Sequence, residues 1–124
     1  MVVKLQKVGG LWHGLAVNEG QTQSGKLHKD YADAKEAYNC VVTYGDWEGG
    51  EVILWDIKKR VELKEGQALF FGGRIIIHNA CRIEGKRNCV DLFIHESLKR
   101  LDEKNKKHSG NSERSKKRKR WSSC

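Results

Sequence analysis

Proline is absent from all 124 residues. No turn is therefore fixed by a pyrrolidine ring, and any edge strand lacks one common guard against mispairing. Cysteine is sparse and irregular: Cys40, Cys81, Cys89 and Cys124 form no C-x-x-C or other zinc-type spacing, which excludes a zinc ribbon or finger. With no secretory-type segment ahead of them, they are expected as reduced thiols in an intracellular compartment. A cysteine at the last position also makes no prenylation box. Apolar runs end after about six residues, too short to span a bilayer, so no membrane is expected as a partner.

A basic fold is missing as well, although the formal charge is +8. Of the 24 Lys and Arg and 16 Asp and Glu, residues 99–124 hold 11 and 3, which leaves 13 of each, and no net charge, in residues 1–98. The basicity belongs to a tail. That tail is poor in apolar residues, so it is expected to be disordered from about Lys104. Its run Lys116-Lys117-Arg118-Lys119-Arg120 resembles a nuclear-localisation signal and suits the phosphate backbone of DNA or RNA. A nuclear address is the expectation, with the cytoplasm as the alternative.

What is present is a series of short apolar runs separated by glycine and acidic turns every eight to twelve residues, the pattern of an all-β sandwich or barrel. Strands are expected at 11–17, 22–28, 37–44, 51–56, 59–64, 67–72, 74–80 and 88–95, with a weaker one at 2–7. Asp46-Trp47-Glu48-Gly49-Gly50 and Glu84-Gly85-Lys86 read as turns. Val90, Leu92 and Ile94 share a face and should be half buried. A short helix is expected over 97–103. The division is thus a β domain over 1–98, then a helix and tail over 99–124. So small a β domain also leaves outer sheet faces for a protein partner to cover.

Two imidazoles and a carboxylate carry the chemistry. His28 and Asp30 are two apart, so an extended segment sends both side chains to one face. His78 ends the run Arg74-Ile75-Ile76-Ile77, which reads as a buried strand, and a polar ring there needs a partner. In this order the three suit a facial triad for non-haem iron, with positions left for a co-substrate and dioxygen. Arg87, nine residues further on, would supply that co-substrate's counter-charge. A His-x-Asp triplet alone is a common coincidence. Order, a gap of about fifty residues, strand context and Arg87 together make it specific.

On Leu27-His28-Lys29-Asp30, Tyr44-Gly45-Asp46-Trp47-Glu48-Gly49-Gly50-Glu51-Val52, Lys64-Glu65-Gly66-Gln67-Ala68-Leu69-Phe70-Phe71, His78-Asn79 and Gly85-Lys86-Arg87, the chain resembles the iron(II)- and 2-oxoglutarate-dependent dioxygenases. Within them it is most similar to the fungal TET/JBP-like oxygenase domains. The resemblance runs from about Asn18 to His95. It implies a mainly β fold, a double-stranded β-helix of the jelly-roll or cupin-like kind, with a short C-terminal helix and a disordered basic tail. It implies Fe(II) held by His28, Asp30 and His78, and 2-oxoglutarate held by Arg87, with dioxygen as the other co-substrate. The activity implied is hydroxylation of a C–H bond, on a methylated base in nucleic acid. The alternative is a catalytically degenerate barrel that binds nucleic acid or protein through its tail.

Further candidates are Asn39 and Tyr38 against 2-oxoglutarate, Asn18 as a support, Trp47 at the substrate mouth, and Arg82 as a rival to Arg87. The chain departs from the resemblance in three ways: few residues precede the barrel, Cys89 stands where a serine often follows the arginine, and the loops lack proline.

Overall fold

The computed structural model describes residues 6–21 and 25–122. In order they form β1 (Gly14–Gln21), β2 (Asn39–Gly49), β3 (Val52–Leu54), β4 (Lys59–Val61), β5 (Ala68–Phe71), β6 (His78–Ala80), β7 (Ile83–Phe93) and α1 (Glu96–Ser122). The strands make two antiparallel sheets, one ordered β1-β7-β2-β5 and the other β4-β3-β6. A further segment joins the second sheet beside β6, because His28 and His78 exchange both backbone hydrogen bonds, N to O at 3.1 and 3.0 Å. The chain is mainly β with one C-terminal helix, as the turn spacing predicts.

The core lies between the sheets. Val52 and Leu54 of β3 meet Phe71 of β5 and Leu63, with Val41, Val61, Leu69 and Ile76 packed around them. Alternation along each strand sends these side chains to one face. The other face of the four-stranded sheet exposes Leu15, Val17 and Phe70.

Four expectations need correction. First, 46–48 and 84–86 extend rather than turn, while Gly49 and Gly50 do take the expected positive φ, 76° and 71°, where the chain leaves β2 for β3. β2 and β7 run for eleven residues each, and their ladder pairs Asp46 with Lys86, Trp47 with Gly85 and Glu48 with Glu84. A Cβ at Gly85 would stand 2.5 Å from the Asp46 carbonyl oxygen, so glycine there permits close strand approach rather than a reversal.

Second, residues 74–77 turn rather than extend. Ile75 and Ile76 both donate backbone hydrogen bonds to the Gly72 carbonyl, Ile75 is exposed, and only His78–Ala80 pairs as a strand. Third, of the expected strand at 22–28, residues 25–28 pair only through the single bridge at His28. Residues 22–24 lie outside the described residues, as does most of the expected strand at 2–7.

Fourth, the helix is not short, and the tail is not disordered over the described residues: α1 continues to Ser122. Lys, Arg, Glu and Asn without proline permit this, since most are good or tolerable helix formers. Pairs one turn apart, Glu96 with Arg100 and Asp102 with Lys106, support its start. Lys99–Glu36 and Lys7–Asp102, both 2.7 Å, tie that start to the domain. No helix among the described residues is long and apolar enough to cross a membrane.

Phe71 joins core and site, with its ring edge-on to His78 at 4.8 Å between centroids. Phe71→Ala should cost about 3–5 kcal/mol, a large fraction of the roughly 5–15 kcal/mol that holds a domain folded. Urea unfolding followed by tryptophan fluorescence checks this; a loss under about 1 kcal/mol would show that the core lies elsewhere.

Candidate metal centre

The backbone exchange between His28 and His78 places two residues directly opposite each other across an antiparallel bridge. Opposed residues send their side chains to the same face. The imidazole centroids are accordingly 4.3 Å apart. Asp30 is held by its own N–H, which donates to the Gly73 carbonyl at 2.9 Å. One ligand atom from each of His28, Asp30 and His78 falls within 4.8 Å of the others.

The hydrogen bonds fix which ring nitrogen faces the carboxylate. His28 Nδ1 lies 2.6 Å from the Lys26 carbonyl, and His78 Nδ1 lies 2.8 Å from the Ile76 carbonyl. A carbonyl oxygen only accepts, so each Nδ1 carries the proton. In the neutral rings each Nε2 then presents a lone pair to Asp30, at 3.5 Å for His28 and 3.6 Å for His78. Two lone pairs converging on a carboxylate repel unless a cation lies between them. Cis ligands about 2.1 Å from one ion stand roughly 3 Å apart, so a small inward movement completes a two-imidazole, one-carboxylate site. The carbonyls on Nδ1 also orient the rings. These residues can hold a metal ion.

Glycine makes room for the carboxylate. A Cβ at Gly73 would collide with Asp30 Oδ2 and stand 3.0 Å from Asn39 Oδ1. Gly73 is thus a cradle for the Asp30 carboxylate, while Gly72 starts the turn by accepting from Ile75 and Ile76.

Beyond the triad the same cavity, about 250 Å³, is lined by Asn18, Val41, Phe71, Arg87, Cys89 and Asp91 among others. Arg87 is buried and donates from Nη1 to the Gly50 carbonyl at 2.6 Å. A Cβ at Gly50 would stand 2.5 Å from that same Nη1, so the second glycine of Gly49-Gly50 seats the guanidinium. Arg87 Nε is buried and makes no hydrogen bond, and the cationic side chain lines the cavity. Burial pushes the neighbouring Cys89 thiol up, although Arg87 pulls it down.

The secondary candidates fare differently. Asn18 lines the cavity. Arg82 is exposed and serves through its backbone carbonyl, which accepts from Gly50 N–H. Trp47 lines a separate groove with Glu62 and Glu65. Tyr38 is exposed and lines a different cavity, with Lys99 and Asp102 of α1. Asn39 is buried, but its Nδ2 donates to Asp33 at 2.8 Å and to Asp30 at 3.3 Å. It positions two carboxylates instead of reaching the Arg87 cavity.

Two acids and a histidine escaped the sequence reading. Asp33, Asp91 and His95 line a second cavity of about 240 Å³ that shares Asp30 and Asp91 with the first and has Phe93 as a wall. Asp33 Oδ1 is 3.5 Å from His95 Nε2, and burial raises the Asp33 carboxyl above its ordinary range against the Asn39 hydrogen bond. Burial, then Asp30 and Asp33, push Asp91 up to about 6. Strand parity carries a signal for Asp91: it follows Arg87 and Cys89 at steps of two on β7.

Two outcomes follow. Because Asp91 has a folded-state value above the ordinary one, the metal-free domain is favoured by its protonated form at acid pH and loses that stability as the pH rises through about 6. Asp91→Asn should therefore gain on wild type from about pH 4 to about pH 8 in denaturant titrations with chelator present; a pH-independent difference would contradict this. Mn(II) at about a hundred times its Kd should raise the wild-type Tm by roughly 10 °C and leave Asp30→Ala unmoved, while Gly73→Ala should need at least about tenfold more metal. A thermal shift common to all three proteins would show binding elsewhere. Compared with known proteins, the chain matches no family model and no curated sequence.

Proposed function

We propose that this chain is an Fe(II)- and 2-oxoglutarate-dependent dioxygenase that hydroxylates a C–H bond of a methylated base in nucleic acid. The observation that carries the reading is one cavity holding both halves of the site: the His28, Asp30 and His78 ligand atoms, and the buried Arg87 with its unpartnered Nε. Iron(II) with 2-oxoglutarate and dioxygen supplies oxidation of an unactivated C–H bond, coupled to decarboxylation of the oxo acid to succinate. The protein's own part is binding, orientation and exclusion of water.

Each residue has a task in that reading. His28, Asp30 and His78 would hold the ion through two imidazoles and one carboxylate. Arg87 meets the distal carboxylate of 2-oxoglutarate, its charge worth more for being buried. Val41, Val52 and Phe71 give the cavity apolar walls. The strand order, β1-β7-β2-β5 facing β4-β3-β6 with the His28 segment beside β6, supports a double-stranded β-helix, in which the chain alternates between two facing sheets.

The prime substrate would enter beside Asp30. Asp33 and His95 offer acceptor and donor groups there, and Phe93 offers a ring face, a combination suited to a flat heteroaromatic base. A base in a duplex would have to be flipped to reach it. The basic segment 99–124 would hold the domain on the polymer, and Lys116 to Arg120 would address it to the nucleus. The side chains of Lys117, Lys119 and Arg120 lie outside the described residues.

Succinate release from 2-oxoglutarate under aerobic conditions with Fe(II) tests the reading. Wild type should turn over slowly alone and faster with methylated DNA. His28→Ala and Asp30→Ala should abolish turnover, and Arg87→Ala should raise the apparent KM for 2-oxoglutarate at least about tenfold, the cost of roughly 1.4 kcal/mol or more of binding. Succinate formation that survives both ligand substitutions would sink the mechanism.

A further inference from the structure

The ion pairs that anchor α1 to the domain among the described residues lie along one side. Lys99 reaches Glu36, and Asp102 takes Lys7 as well as Lys106. At about 100° per residue, Arg100, Lys104, Lys107, Arg114 and Arg118 fall within an arc of roughly 80° on the side away from those anchors. All five are exposed. They extend over about 27 Å at 1.5 Å per residue.

This row is unlike a generic solvated face. Arg100 and Lys104, Lys104 and Lys107, and Arg114 and Arg118 stand three or four apart, where like charges weaken a helix. Acids are concentrated at the start, with Glu96 and Glu103 beside the row, and residues 104–122 contain Glu113 as their only acidic residue. The same stretch holds Trp121 as its only large apolar residue, so it has no apolar face with which to lie in a membrane surface. A helical row of cations without apolar support fits a regular polyanion.

We propose that the outward face of α1, carried by Arg100, Lys104, Lys107, Arg114 and Arg118, is a ridge that binds the phosphate backbone of a nucleic-acid duplex. It rests on the nucleic-acid half of the proposed function and on none of its iron chemistry. It also replaces the compact Lys116–Arg120 run as the main contact by a longitudinal row, of which the domain end sits on the strand leading from the metal centre: His95 pairs with Asp33 immediately before α1 begins.

Fluorescence anisotropy of a labelled 20-base-pair DNA duplex with the full-length protein, over a salt series, tests it. Five phosphate contacts predict a log–log salt slope of about −4.5, and Lys104→Gln, Lys107→Gln and Arg114→Gln together should reduce its size by about 2.7. The same triple variant should bind at least tenfold more weakly at low salt while circular dichroism retains the helix. Lys104→Arg with Lys107→Arg should bind like wild type. The charge-matched Lys35→Gln, Lys59→Gln and Lys86→Gln variant, altered on the β domain, should also keep the wild-type slope.

Equal weakening of the two triple variants would overturn the ridge while leaving nucleic-acid binding in place. No duplex binding by wild type would overturn both the ridge and the nucleic-acid reading. Tighter binding to phosphatidylserine vesicles than to duplex at the same salt would assign the row to a different polyanion and overturn the proposal.

Discussion

The backbone exchange between His28 and His78 is the constraint on which the site depends. It docks a segment with almost no other strand pairing against β6, and in doing so brings two imidazoles from positions fifty residues apart to 4.3 Å. The carbonyls of Lys26 and Ile76, each two residues before its histidine, then accept hydrogen bonds from the Nδ1 N–H groups. Asp30 completes the group because Gly73 has no side chain to displace it. Local backbone geometry thus aims three lone-pair donors at one point before any ion arrives, and a preformed site loses less freedom on binding.

A second constraint comes from β7. Its inward positions carry Arg87, Cys89 and Asp91, while Val90 and Leu92 occupy the outer face. Burying such groups is unfavourable unless each is matched. Gly50 matches part of the guanidinium. Asp91 stays uncomfortable, with an unpartnered buried oxygen and a carboxyl raised by its own burial and by Asp30 and Asp33. A cation among Asp30, His28 and His78 would relieve that repulsion, so metal affinity and the protonation of Asp91 are linked. The domain trades stability in its metal-free state for a charged cavity, as functional sites commonly do.

Much of this was legible in the residues. The triad and Arg87 could be chosen from order and spacing, and the structure brings all four to one cavity. Mainly β structure followed from the turn spacing. Strand parity correctly left Val90 and Leu92 half buried, but Ile94, expected with them, is buried past the end of β7, and parity could not say that the cavity lay on the opposite, polar face. Glycine was the main source of error. Gly85 lies within a ladder, and Gly50 and Gly73 accommodate side chains brought to them by distant strands; sequence shows only that something there is small. Asn39 was read for the wrong partner because its contacts, Asp30 and Asp33, depend on how the 28–34 segment folds back. The helix outran its expected end because composition was weighed for burial, whereas Lys- and Arg-rich sequence without proline also permits an exposed helix.

The central claim is that one cavity binds a divalent iron and a 2-oxo acid together. Anaerobic addition of Fe(II) and then 2-oxoglutarate to the purified protein, followed by visible absorption, tests it most directly, because chelation of iron by the 2-oxo acid gives a charge-transfer band that neither component gives alone. The account predicts a saturable band at one equivalent of iron, lost in His78→Ala and needing more 2-oxoglutarate in Arg87→Ala. Folded wild-type protein that binds iron yet gives no band at saturating 2-oxoglutarate would contradict it.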